Sequence, residues 1–120
     1  MMKLAVTSQV EGIQSAVDPR FGRAKYFVIV DLGTNEAKTV GNSVNLNAAQ
    51  GAGIQAAKAI IDLGVKALIT GHTGPKAFAA LQAGGVAVYT AAGGTVAEAL
   101  EQFKAGTLKA MAGANVEGHW

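Results

Sequence analysis

Apolar positions along this chain fall into short runs separated by polar, glycine-bearing stretches, and the period inside the runs changes part-way along. Lys3 to Ser8 (KLAVTS) is compact and rich in strand formers, and it gives way to a long polar stretch from Gln9 to Lys25. Tyr26 to Asp31 (YFVIVD) is dense in β-branched and aromatic residues. Turn-forming Leu32 to Glu36 (LGTNE) follows, and then a weaker run from Ala37 to Val44. This pattern predicts one strand, a long loop and a hairpin of strands two and three.

Beyond the polar segment Asn45 to Gly53 the period lengthens. Ile54 to Leu63 (IQAAKAIIDL) places Ile54, Ala57 and Ile61 on one face of an alanine-rich helix, and Gly64 is positioned to end it. Val65 to Thr70 reads as strand four and Gly71 to Gly74 as a turn. Pro75 opens a second helix, which runs through Ala83 to the Gly84-Gly85 stop. Val86 to Thr90 is strand five. Thr95, Val96, Ala97 and Glu98 form a capping box that starts a third helix, ending near Ala105. Periodicity is weak from Gly106 to Trp120, so most of that segment reads as irregular. The predicted organisation is one α/β domain over residues 1–106 and a C-terminal tail over 107–120.

Short connections favour antiparallel pairing among the first three strands, and right-handed crossovers carry strands four and five parallel. The sheet that satisfies both is mixed and five-stranded, order 3-2-1-4-5, with three helices and with strand one between strands two and four. The loops 9–25, 45–53, 71–74 and 91–94 then share one edge, at the point where strand order reverses and open α/β sheets tend to hold ligands.

Composition narrows the chemistry. The 120 residues are 50% hydrophobic, enough for one core, and no apolar window has the length of a membrane span or of a leader peptide. A cytoplasmic protein is expected. With no cysteine, disulfides, thiolate nucleophiles and thiolate-held metals are excluded. A net charge of +2 on a chain only 15% charged argues against nucleic-acid binding by bulk charge.

Three segments carry candidate chemistry. In Asp18-Pro19-Arg20-Phe21-Gly22-Arg23, Arg20 and Arg23 offer a clamp for an anion, with Phe21 as an apolar wall between them; the plainer alternative pairs one arginine with Asp18 and leaves the other solvated. In Gly71-His72-Thr73-Gly74-Pro75, a turn into a helix N-terminus aims backbone N–H groups and a positive dipole end at the same crevice. His72 is a further donor, and Thr73 or Gly74 is the cap. Gly51 to Ala56 matches GxGxxA, but the acid expected about 20 residues on is missing. Gly51 and Gly53, with Gln50 beside them as a further binding candidate, are better read as letting backbone approach a ligand or a neighbouring loop than as a dinucleotide fingerprint. No catalytic set emerges: acids are scattered, no serine sits in a nucleophile elbow, and Asp18 with His72 is the one acid–base pair that can be built. In the tail, Met111, His119 and Trp120 invite a copper-site reading, which the entropy of ordering a glycine-rich terminus opposes.

The DPRFGR loop, the central NAAQGAGIQAAKAIIDLGVKALITGHTGPKAFAAL and the later GGVAVYTAAGGTVAEALEQFKAGTL together resemble the dinitrogenase iron-molybdenum cofactor biosynthesis family over Lys3 to about Leu108. The resemblance implies a ribonuclease-H-like three-layer fold. It implies non-catalytic binding, storage or carriage of an anionic metal–sulfur cofactor: a molybdenum–copper sulfide cluster, held without covalent bonds as in cysteine-free members, or an iron-molybdenum-type cluster. A protein partner for delivery or assembly is implied as well. The absence of cysteine departs from members that use thiolates and points to a cluster bringing its own sulfide ligands. Two other readings stay open: an enzyme acting on a small phosphorylated ligand, and a regulatory interaction module docking through the tail and Trp120.

Overall fold

Alternation along the first strand decides the layering. The computed structural model describes residues 2–42, 52–91 and 94–111. Strand β1 (Lys3–Ser8) is buried from Leu4 to Ser8, so both of its faces are covered. Leu4 and Val6 lie on one face with Val28, Val30, Ala67 and Ile69, under Val96, Ala99 and Leu100 of helix α3 (Val96–Ala105). Ala5 lies on the other with Phe27, Ile29, Leu68 and Val88. That face is covered by Ala56, Ala57 and Ile60 of α1 (Ala52–Asp62) and by Ala77, Phe78 and Leu81 of α2 (Pro75–Ala83). The result is a three-layer domain.

β2 (Tyr26–Asp31) pairs antiparallel with β1 and with β3 (Ala37–Gly41), while β4 (Ala67–Thr70) pairs parallel with β1 and with β5 (Ala87–Thr90). Strand one is central, as its pattern predicts, and the α/β class holds, with three helices among the described residues. The sheet of the described residues has six strands rather than five, order β3-β2-β1-β4-β5-β6. The added strand, β6 (Lys109–Ala110), falls in the segment read as irregular. Gly106 ends α3 in the left-handed conformation, φ 74°, and turns the chain back antiparallel to β5. Met111 N then donates to Val88 O at 2.8 Å, and its side chain packs on the α1–α2 core. Met111 is thus a packing residue here; His119 and Trp120 lie outside the described residues.

The capping box forms as expected. Glu98 N donates to Thr95 Oγ1 at 3.2 Å, and Thr95 N donates to Glu98 Oε1 at 3.0 Å. The long loop after β1 closes the rest of that helix end: Val96 N donates to Ser15 O at 2.9 Å and Ala97 N to Ile13 O at 2.8 Å. We expect Thr95→Ala to lower stability by about 0.5–2 kcal/mol, read as an earlier denaturant midpoint with an unchanged slope.

Candidate anion-binding site

The two candidate loops are fastened to the ends of adjacent parallel strands and then to each other. Asp18 N donates to Thr7 O at 2.9 Å. In return Thr7 Oγ1 donates to Asp18 O at 2.7 Å and lies 2.9 Å from Thr70 Oγ1, so one buried hydroxyl pair ties the loop, β1 and β4 together. Past these ties His72 N donates to Pro19 O at 2.7 Å and Phe21 N to His72 O at 3.2 Å, making Arg20 and His72 partners in a parallel bridge. Residues paired across such a ladder put their side chains on the same face. Arg20 and His72, far apart in sequence, are therefore exposed neighbours at the sheet edge.

Gly71 makes this approach possible. A Cβ there would lie 2.7 Å from Pro19 O and 2.8 Å from Pro19 Cα, distances that no side chain tolerates. Phe21 differs from its expected part. It is 1% exposed and stacks on Phe27 at 6.0 Å between ring centroids, so it anchors the loop in the core and does not form a wall between the arginines. Aromatic rings in a loop have no period to show which way they face.

Beside the bridge, a cleft of about 490 Å³ is lined by Gln9, Val10, Asp18, Pro19, Arg20, Arg23 and Lys25. Three cationic side chains meet one carboxylate there, and both expected arginines are among them. Asp18 is the buried member: Arg20 N donates to its Oδ1 at 2.9 Å, and Arg20 Nε stands 3.7 Å from the same oxygen. The pairing of one arginine with Asp18 weighed from the sequence thus exists, and the arginine concerned still has a side chain 49% exposed.

Lys25, Gln9 and Val10 were missed as lining residues, although the cationic run Arg20-Phe21-Gly22-Arg23-Ala24-Lys25 is visible in the sequence. Asn42 was missed too. Buried at the end of β3, it donates through Nδ2 to Ala24 O at 2.7 Å and through its backbone N to Lys25 O at 2.8 Å, holding the cleft's far rim.

The 71–74 turn abuts this cleft through backbone pairing and does not line it. His72 is exposed, whereas Gly71, Thr73 and Gly74 are buried. Gly74 is the N-cap of α2 without a side-chain hydrogen bond, Pro75 follows it, and the first turn carries no acid. Gly53 is buried in the first turn of α1, because that helix begins at Ala52, two residues earlier than its apolar pattern indicates. Gln50 and Gly51 lie outside the described residues.

Among the described residues no three histidine, aspartate or glutamate side chains gather as a metal site, and no helix is long and apolar enough to cross a membrane. The donor set of the cleft is guanidinium, ammonium and amide. Apart from the Asp18 carboxylate, such a set suits an anion rather than a bare metal cation.

A family model described as dinitrogenase iron-molybdenum cofactor matches residues 2–106. The apo form of the orange protein from Desulfovibrio gigas superposes with a TM-score of 0.94 at 43% identity, over 97% of this chain and 98% of that one. A NifB-like protein of Thermotoga gives a TM-score of 0.86 at 36% identity, over 98% and 100% of the two chains. An uncharacterized protein of Methanocaldococcus jannaschii is 30% identical over 111 residues, 91% of each chain.

Proposed function

Since the chain belongs to the dinitrogenase iron-molybdenum cofactor family, we propose that it binds and carries an anionic metal–sulfur cofactor as cargo, without turning it over. A molybdenum–copper sulfide cluster, or an iron-molybdenum-type precursor, enters the cleft bounded by Arg20, Arg23 and Lys25, with His72 beside Arg20. The observation that carries the reading is the fixed cationic cleft, held by the Arg20–His72 bridge on a chain without cysteine. Arg20 and Arg23 supply charge-assisted donors to terminal sulfides, and Val10, 58% exposed at the rim, offers apolar contact to a soft, weakly hydrated anion. No catalytic group is required of the protein. Delivery implies a protein partner that meets the open mouth of the cleft.

The test is titration of tetrathiomolybdate and copper into the cysteine-free protein while following visible charge-transfer bands. We expect stoichiometric, non-covalent binding whose affinity falls as salt rises, because the cationic groups are at least partly exposed. Tight binding of a phosphorylated metabolite with no affinity for the thiometallate would overturn the reading in favour of an enzyme of phosphate chemistry.

A further inference from the structure

A buried carboxylate is an odd lining for an anion cleft, and its position explains what it does there. Asp18 is 4% exposed and is fastened through its backbone to Thr7 of the central strand. Its Oδ1 accepts from Arg20 N at 2.9 Å, which fixes the turn. The same oxygen faces Arg20 Nε at 3.7 Å, an ion pair too long for a direct hydrogen bond. The carboxylate is held by burial and by the Arg20 N–H, on a backbone bonded to Thr7. The guanidinium ends a side chain that is 49% exposed.

We infer that Asp18 is a resident competitor for Arg20, limiting how tightly the cleft holds an anion and so favouring release of the cargo. This rests on the binding reading above and deepens it from storage to transfer. Two effects oppose each other at this residue. The carboxylate orients Arg20, which helps an incoming anion, and it repels that anion while sharing its partner, which hinders it. Orientation by a half-exposed pair of this length is weak. Repulsion acts on every charge of a multiply charged ligand and is screened less at a buried group, so it is the larger effect. A pure storage site would gain from asparagine here, which keeps the acceptor for Arg20 N and loses the charge.

The experiment compares wild type with Asp18→Asn, using tetrathiomolybdate with copper as one probe and inorganic phosphate and molybdate as others. We expect Asp18→Asn to bind the thiometallate about three- to fivefold more tightly, with the gain in slower dissociation on chase with excess apoprotein, as befits loss of one buried charge whose partner is half exposed. A structural role alone would leave affinity equal or lower. Equal or weaker thiometallate binding by a folded variant overturns the inference and leaves the binding reading standing. Absence of thiometallate binding to wild type, with phosphate or molybdate bound more tightly by the variant, overturns the cargo and keeps the competitor. No binding of any probe to either protein removes both. Should the variant not fold, the Arg20 Nε–H resonance of wild type decides. It is expected to shift on addition of whichever probe binds as the guanidinium leaves Asp18, and a resonance unmoved at saturation sinks the competitor.

Discussion

Replacing Arg20 and Arg23 together with alanine will weaken binding of a thiomolybdate–copper species at least about tenfold. Each charge-assisted bond contributes roughly 1.5 to 3 kcal/mol, and about 1.4 kcal/mol is a factor of ten. Both side chains line the same cleft, so their losses fall on one ligand. The difference between wild type and double variant should shrink at high salt, since Arg20 is half exposed. Lysine at both positions should restore only part of the affinity, because a point charge does not reproduce the planar fork. Titration followed by the visible bands checks all three statements. Equal binding by a folded double variant would take the arginines out of the site and leave the backbone turn at 71–74 as its remaining candidate.

Gly71→Ala will cost about 1–3 kcal/mol or more, because the added methyl meets backbone rather than a side chain that could swing aside. For a domain of this size that is a melting point lower by about 4 °C per kcal/mol. Relief requires the 18–23 loop to move away from the turn, which breaks the bonds from His72 N to Pro19 O and from Phe21 N to His72 O. Binding should therefore fall along with stability, and the two amides should lose protection from hydrogen exchange. Gly41→Ala is the matched control: a Cβ there meets nothing within 4 Å, so it should leave both properties unchanged. An alanine at 71 with wild-type melting and binding would show that the loops do not depend on their close approach.

What could be read from the sequence was whatever repeats. The YFVIVD run, the alanine-rich helix and the capping box each show a period or a terminal signal, and each appears where it was expected, within a few residues. Strand β6 is two residues long, too short to carry a period, and it forms because Gly106 and the packing of Met111 place it there. The candidate site was legible as residue types and not as geometry. Arg20, Arg23 and His72 stand out as donors, but nothing in the sequence announces a backbone bridge between residues so distant, nor that Phe21 turns inward. Asn42 shows the same limit: a polar residue after an edge strand is usually solvated, and only the folded chain reveals that it grips Ala24 and Lys25.

The pairing of β1 with β4 also sets when the site comes into being. Leu4 meets Ala67 and Val6 meets Ile69 across a stretch of chain that includes the whole β2–β3 hairpin and α1, so this contact closes a long loop and forms more slowly than the hairpin. Thr7 cannot reach Thr70, nor Arg20 reach His72, before that closure. A chain whose β1–β4 pairing has not yet formed therefore carries Arg20 and Arg23 without the bridge that sets Arg20 beside His72.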